Sequence, residues 1–352
     1  MARQGFASVL AALTLLVVFL APSIQAVQPY QCDAHLYYPI AGVLRALRGT
    51  NISVIIGAPN VSSLASNDVN VSLSSAHTWV QTNIQPYYPD VNIKYIAVGN
   101  EVLHDDKPKI LPAMKNIKDA LSAAGLNHIK VSTAIEMNMV DSSSLPSGST
   151  FADPSIMDPI IKFLASNGSP LLANVYPYYA YKNDNGVDLN FALFQPSSTT
   201  IDDNGHTYTN LFDAMVDSIY SAIEKVGEPD VAVILSETGW PSAGSRGANK
   251  DNARIYNQNL INHVRKGTPK RPGALETYIF AMFTENQKED GIERHFGLFN
   301  PDKSPVYSIN FSGTSDSGPQ PQPSMSWASR PVFYGLVIVS LSLVLLAWPI
   351  SR

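Results

Sequence analysis

Short apolar segments alternate with longer amphipathic ones along the middle of the chain. Seven apolar segments rich in Val, Ile, Leu, Ala and Tyr predict β-strands at residues 34–39, 52–57, 93–99, 129–134, 171–175, 231–237 and 275–284. Most are continuous runs, which is typical of strands covered on both faces. Apolar residues at helical spacing predict helices at residues 40–47, 74–85, 110–124, 156–166, 211–226 and 252–266.

The repeated order of strand and helix predicts the fold class. Consecutive strands joined by helices lie parallel, with each helix forming a crossover connection. Seven strands in about 285 residues favour a (β/α)8 TIM barrel over an open sheet. The strand count is one short of eight, so the sequence predicts an incomplete barrel.

The N-terminal segment, residues 1–26, has the order of a secretory signal peptide. Arg3 precedes an apolar run over residues 7–21, and Ala26 offers a small residue for cleavage. The alternative is an uncleaved membrane anchor, for which the apolar run is short. Secretion agrees with the Asn-X-Ser sequons at Asn51, Asn60, Asn70, Asn167 and Asn310.

The C-terminal segment has the order of a glycosylphosphatidylinositol (GPI) anchor signal. Small residues and a Pro/Ser/Gln-rich spacer over 313–331 precede an apolar tail over 332–352. We expect lipid attachment within residues 315–318. A transmembrane helix and a vacuolar propeptide are the alternatives. Residues 27–312 then form one globular domain, at the outer face of the plasma membrane or in the cell wall.

Composition excludes several classes of function. The formal net charge of −5 offers no basic surface for nucleic acid. A single cysteine excludes an intramolecular disulfide and a cysteine-based zinc cluster. Glu101 and His104 have the spacing of a Glu-x-x-His metal pair, but no second copy exists. No phosphate- or dinucleotide-binding motif is present, and we expect neither metal nor cofactor.

Three predicted strands lead into a glutamate: Glu101, Glu237 and Glu285, with Lys288 three residues after the last. The active site of a barrel lies at the carboxyl ends of its strands. Glycoside hydrolysis needs one carboxylic acid to protonate the leaving oxygen and one carboxylate opposite it. One such glutamate alone is often a solvated loop residue. Three together predict a glycosidase site.

Aromatic residues follow the same strand ends. Tyr176, Tyr178, Tyr179 and Trp240 are placed to stack on sugar rings or to close a cleft. Ordinary packing at the rim of the barrel explains any one of them equally well.

Several motifs together resemble the plant β-1,3-glucanases of glycoside hydrolase family 17. They are VGNE (98–101), NVYPY (174–178), SETGWPS (236–242), FAMF (280–283), ENQK (285–288) and HFGLF (295–299). The resemblance extends from about Leu36 to Phe311. It implies a monomeric (β/α)8 barrel that cleaves internal bonds of β-1,3-glucan, such as callose or fungal wall glucan, with retention of configuration and without a cofactor.

The resemblance also implies roles for individual residues. Glu101 would be the acid/base and Glu237 the nucleophile, with carboxyl groups about 5 to 5.5 Å apart. The implied substrate-binding residues are Glu285 and Lys288, which would also tune the pair, with Asn100, Tyr176 and Trp240 supporting.

The chain departs from the family pattern at its start. Family members open with a further strand and helix, whereas here the segment Leu36-Tyr37-Tyr38-Pro39 follows the signal almost at once, and Tyr38 stands where the family has aspartate. We therefore expect the first strand and helix to be missing, which would expose two strand edges and weaken folding or activity. The alternative function is a catalytically weak or inactive cell-surface β-glucan-binding protein. Glu237→Gln would separate the two, since only an enzyme would lose turnover.

Overall fold

The structure is a computed structural model that describes residues 33–66, 69–141, 145–311 and 338–339. The predicted signal peptide, the spacer and most of the apolar tail lie outside the described residues.

Parallel strands form the centre of the molecule. The first seven strands of its main sheet are β1 (Asp33–Leu36), β2 (Ser53–Ala58), β3 (Asn92–Asn100), β4 (Lys130–Glu136), β5 (Leu171–Asn174), β6 (Val233–Thr238) and β7 (Thr277–Ile279). Each pairs in parallel with the next, in chain order. All seven predicted strands are therefore confirmed, and all their carboxyl ends meet at one mouth.

The sheet has eight strands rather than the seven that the sequence predicted. β8 (Ile338–Val339) comes from the apolar C-terminal segment and pairs in parallel with β7, with Ile338 opposite Tyr278 and Val339 opposite Ile279. β8 also lies beside β1. The sheet therefore curves round until it is nearly closed, which confirms the predicted (β/α)8 architecture.

Helices cover the outside of the sheet. They are α1 (Ala41–Ala46), α2 (Val61–Leu64), α3 (Val69–Asn83), α4 (Ile110–Ala123), α5 (Pro154–Asn167), α6 (Pro177–Asn183), α7 (Leu189–Ala192), α8 (Leu211–Val226) and α9 (Lys250–His263). The six predicted helices correspond to α1, α3, α4, α5, α8 and α9. The short helices α2, α6 and α7 were not predicted. Within the part of the chain described, no helix is both long and apolar enough to cross a membrane.

Short elements complete the fold. Single turns of 3₁₀ helix occur at His104–Lys109, Met137–Met139, Pro146–Gly148 and Ile292–His295. Two small antiparallel ribbons pair Val140–Asp141 with Thr150–Phe151, and Ile201–Asp203 with His206–Tyr208.

Two apolar layers hold the barrel together. Alternate strand residues fill its interior, namely Ile55, Tyr95, Ala97, Ala134, Leu172, Ile234 and Tyr278. The intervening residues of the same strands face the helices in a much larger cluster. Both faces of each strand are therefore buried, which explains why the strands read as continuous apolar runs.

The last predicted strand is shorter than expected. β7 ends at Ile279, whereas the apolar run continues to residue 284. Phe280 and Ala281 are buried without extending the strand. Glu285 therefore lies in the loop after β7, and the prediction that it ends a strand is wrong.

Candidate active site

Glu101 stands directly after β3 at the mouth of the barrel. Its φ angle is +50°, a left-handed conformation that is uncommon for a residue with a side chain. The Glu101 N–H donates a 3.0 Å hydrogen bond to the carbonyl of Ala134 on β4, which holds this conformation in place. Unfavourable backbone angles that neighbouring structure maintains are often found at functional sites.

Asn174, the last residue of β5, connects the two predicted catalytic strands. Its side-chain amide donates to Glu101 Oε1 at 2.9 Å and to Asn100 Oδ1 at 3.0 Å. Its own Oδ1 accepts a 2.8 Å hydrogen bond from the Ser236 hydroxyl, next to Glu237. Asn174 is buried, so its amide holds a fixed orientation between β3 and β6.

Glu237 lies near the end of β6 and is only 6% exposed. The Tyr176 hydroxyl donates a 2.7 Å hydrogen bond to Glu237 Oε2. Tyr37, just after β1, also acts on this carboxyl group and lowers its pKa. A carboxylate that accepts a hydroxyl group is stabilised in its ionised form.

The two carboxyl groups influence each other electrostatically. Burial and the neighbouring Glu101 raise the pKa of Glu237 to about 7, while Tyr37, Tyr176 and Lys288 act in the opposite direction. Burial also raises the pKa of Glu101, which the Asn174 hydrogen bond opposes. Two acidic groups that repel each other in a buried site favour a state in which they share one proton.

A second charged group lies on the β7 side of the mouth. Lys288 Nζ is 2.7 Å from Glu285 Oε2 and 3.9 Å from Glu293 Oε2. Tyr179 donates a hydrogen bond to Glu293. Burial raises the pKa of Glu285, and Lys288 lowers it. Lys288 thus balances carboxylates from both sides of the loop.

The predicted aromatic residues divide into two groups. Tyr176 and Tyr179 are half-buried at the mouth, and the Tyr176 ring contacts Phe280 and Phe296 at centroid distances of 6.2 and 5.7 Å. Trp240 is fully buried, and its indole N–H donates to the Gly247 carbonyl at 2.9 Å. Trp240 therefore supports the loop after β6 and does not present its ring to a sugar.

In the structure, hydrogen bonds from Asn174 hold Asn100 and Glu101, and Tyr176 binds Glu237. Glu101 acts electrostatically on Glu237, so both groups belong to one site. Glu285 and Lys288 lie at the same mouth, and Lys288 acts electrostatically on Glu237. The sequence did not identify three further residues as members of the site: Tyr37, Asn174 and Glu293. Tyr179 was expected at the mouth, and the structure places it there. Asn174 belongs to a recognised motif and could have been found there. Glu293 falls in a polar loop without a distinguishing pattern.

This geometry narrows the class of protein. A parallel barrel presents two glutamates at its carboxyl end, one bound by an amide and the other buried beneath two phenols. Two carboxyl groups in different environments at the mouth of a barrel are the catalytic groups that a glycosidase needs. The fold and the site together define a barrel of the glycoside hydrolase class.

Comparison with known proteins gives the particular family. Residues 21–311 match the model of the glycosyl hydrolases family 17, so the chain belongs to that family. It is 56% identical over 279 residues to the glucan endo-1,3-beta-glucosidase GII of Hordeum vulgare, covering 78% of this chain and 82% of that protein. It is also 47% identical over 281 residues to Lichenase-2 of the same plant, covering 78% and 88%.

Solved structures agree with the fold. A β-1,3-glucanase and allergen of Cryptomeria japonica pollen superimposes with a TM-score of 0.75 at 48% identity, covering 79% of this chain and 90% of that one. One of two plant β-glucan endohydrolases with distinct substrate specificities gives a TM-score of 0.78 at 44% identity, covering 85% and 95%.

Proposed function

We propose that the protein hydrolyses internal β-1,3-glucosidic bonds of β-1,3-glucan by a retaining mechanism. The observation that carries this proposal is the pair of carboxyl groups, in which Glu237 accepts the Tyr176 hydroxyl and Glu101 accepts the Asn174 amide. The substrate class is supported by relatives named as glucan endo-1,3-beta-glucosidases at about half identity.

In the first step, the Glu237 carboxylate attacks the anomeric carbon while Glu101 donates its proton to the leaving glycosidic oxygen. The bond to that oxygen breaks and a glycosyl ester forms on Glu237. The phenol of Tyr176 suits this role, because it holds the carboxylate in one orientation, and Tyr37 and Tyr176 both favour its ionised form.

In the second step, Glu101 is a carboxylate and removes a proton from water, which attacks the same carbon. The ester bond breaks, and Glu237 returns to its ionised form. Asn174 supports this exchange, because its amide can donate to Glu101 and holds the carboxyl near one position. Glu285 and Lys288 would bind hydroxyl groups of the glucan beside the pair, with Asn100 and Tyr176 in supporting roles.

The test is release of reducing ends from a soluble β-1,3-glucan by the secreted full chain. Glu101→Gln and Glu237→Gln should each lower kcat by at least about a thousandfold while the melting temperature stays near that of the native protein. A control, Glu224→Gln, removes a carboxylate that pairs with Lys270 and Arg271 away from the mouth. A folded native protein that binds β-1,3-glucan without turnover would replace this proposal by the binding function.

Linkage preference needs a second substrate. One relative is named a lichenase, so the family match alone does not separate β-1,3-glucan from mixed β-1,3/1,4-glucan. Parallel assays on both polymers decide the point, and we expect higher kcat/KM on the β-1,3 polymer.

We propose further that the protein is a monomer secreted and held by a GPI anchor at the outer face of the plasma membrane. The sequences of both ends support this proposal. Attachment within residues 315–318 would remove Ile338–Val339 together with the tail and so leave β1 and β7 as sheet edges. Release of the protein from plant membranes by a phosphatidylinositol-specific phospholipase tests the anchor. Retention of the intact tail, measured by mass, would contradict it.

N-linked glycans are proposed at Asn51 and Asn60. Both side chains are exposed, and the Asn60 side chain uses only its oxygen in capping α2. The Asn167 amide, by contrast, donates to the Phe163 carbonyl at 2.8 Å and to the Ser166 hydroxyl at 3.2 Å, so glycosylation would disturb both bonds. Peptide mapping of the secreted protein should find glycans at the first two sequons and an unmodified Asn167.

A further inference from the structure

Glu136 is a carboxylate at the mouth that the two-step reaction does not use. It is the last residue of β4, the strand between those that carry Glu101 and Asn174. In the register of the sheet, Glu136 lies opposite Asn174. Glu136 therefore lies beside the acid/base residue Glu101, and Asn174 separates it from Glu237.

Strand geometry directs the Glu136 side chain to the interior of the barrel. Ala134, two residues earlier, belongs to the inner layer together with Ala97 and Leu172. Because residues two apart share a face of a strand, Glu136 points to the same side at the level of the mouth. The carbonyl of Ala134 also accepts the hydrogen bond from the Glu101 N–H. Glu101 is therefore bound to β4 only two residues before Glu136.

The Glu136 carboxylate has a hydrogen-bond partner at the rim of the mouth. The Asn138 side-chain amide donates a 2.6 Å hydrogen bond to Glu136 Oε1. Glu136 is half-buried, and Asn138 is exposed in the turn Met137–Met139, so the bond lies at the edge of the solvent.

We propose that Glu136 is a positioning residue whose negative charge keeps the proton on Glu101 at the pH of catalysis. The inference rests on the proposed function, in which Glu101 must donate that proton. Burial is the main reason that the pKa of Glu101 is raised, the Asn174 amide opposes it, and the charge of Glu136 on the adjacent strand adds to the effect of burial. The charge acts through space, so Glu136 need not touch the glucan.

Other titratable groups also face Glu101 and influence its ionisation. They come from β6, from the loop after β5 and from the turn at Ile292–His295, and are Glu237, Tyr176, Tyr179 and Glu293. Glu136 differs from the other two carboxylates. Glu237 is the proposed nucleophile, and Glu293 is already paired with Tyr179 and close to Lys288.

The experiment is the pH profile of kcat/KM on a β-1,3-glucan oligosaccharide for the native chain, Glu136→Gln and Glu136→Asp. Activity falls on the alkaline side as Glu101 loses its proton. Removing a nearby negative charge makes that loss easier, so the alkaline limb of Glu136→Gln should move to lower pH by about half a unit. Glu136→Asp keeps the charge and should restore the native profile. Asp141→Asn, an exposed carboxylate farther along the same loop, is the matched control and should leave the limb in place.

An unchanged alkaline limb in a folded Glu136→Gln would overturn the proposal, as would an equal shift in Glu136→Asp. If Glu136→Gln does not fold, Glu136→Met takes its place, because it removes the same charge and keeps the length of the side chain. An unshifted alkaline limb in that folded variant would again overturn the proposal. If the native protein has no turnover, the proposed function fails on its own, and titration of the Glu101 carboxyl carbon by NMR still shows whether Glu136 affects its ionisation.

Discussion

The hydroxyl of Tyr176 lies 2.7 Å from the Oε2 atom of Glu237 and donates a hydrogen bond to it. Tyr176 follows β5 and Glu237 belongs to β6, so the bond joins two neighbouring strands at the mouth. Glu237 is buried and Tyr176 is half-buried, so water competes little for this hydrogen bond.

Tyr176→Phe should therefore weaken catalysis without removing the nucleophile. Loss of a donor to the ionised form raises the pKa of Glu237, so the acid limb of the kcat/KM profile should move to higher pH. We expect kcat/KM at the optimum to fall by about tenfold, as for one hydrogen bond to a charged group. Tyr307→Phe removes a buried phenol that binds Asn257 instead, and should leave the acid limb unchanged. An unshifted acid limb in Tyr176→Phe would count against the role of this bond.

Asn174→Ala should move the opposite limb. Its amide favours the ionised form of Glu101, so its loss raises the pKa of that residue and shifts the alkaline limb to higher pH. The freed Glu101 side chain should also lower kcat/KM by about 10- to 100-fold. Asn257→Ala, which truncates another buried amide, serves as the control for stability. A normal kcat/KM in Asn174→Ala would show that Glu101 is held by other contacts.

Gly239→Ala should unfold the mouth of the barrel. A Cβ atom on Gly239 would lie 2.1 Å from the Phe280 carbonyl oxygen, which belongs to the backbone after β7 and cannot rotate away. We expect a loss of at least about 2 kcal/mol in the free energy of unfolding, together with lost activity, because Glu237 lies two residues earlier. Gly186→Ala is the matched control, since its Cβ would meet only the exposed side chain of Asp184. Chemical denaturation of both variants measures the difference, and equal stabilities would contradict the predicted clash.

Asp33 should make the protein more stable as the pH falls. Burial raises the pKa of this residue from 3.8 to about 6, although Lys94 opposes the shift. The folded state therefore binds the proton more tightly than the unfolded state, and the free energy of unfolding increases as the pH falls from above 6 to below 4. The effect is at most about 3 kcal/mol.

Asp33→Asn removes this dependence. Thermal melts of the variant and the native protein between pH 4 and 8 should nearly coincide at pH 4, separate as the pH rises to about 6, and keep a constant separation above that, with the variant relatively more stable. Asp119→Asn alters an exposed aspartate and should follow the native curve. A constant difference between Asp33→Asn and the native protein at every pH would refute the prediction.

Local pattern predicted the regular elements well where their end signals are local. α8 spans Leu211–Val226, as predicted, because Asn210 caps its first turn and Gly227 ends it in a left-handed conformation. β7 ends earlier than its apolar run, since the buried residues that follow it belong to a loop. Burial without strand pairing leaves the same apolar signature in the sequence.

The order of strands and helices, the barrel and the two principal carboxyl groups could all be predicted before the fold was known. The reason is that strand period, crossover handedness and the placement of Glu101 and Glu237 after apolar runs are all local or topological properties. Resemblance to a family then supplied the roles expected of them.

The contacts that hold these carboxyl groups became visible only in the folded protein. Asn174 donates a hydrogen bond to Glu101, which lies two strands away in the sheet. Tyr37 acts on Glu237 although more than 190 positions separate them in the chain. Burial of Trp240 and the place of Ile338–Val339 beside β7 were likewise not readable from pattern. Such contacts depend on which residues the curved sheet brings together. Hydrophobic periodicity predicts which face of an element is buried, but not which residues it contacts.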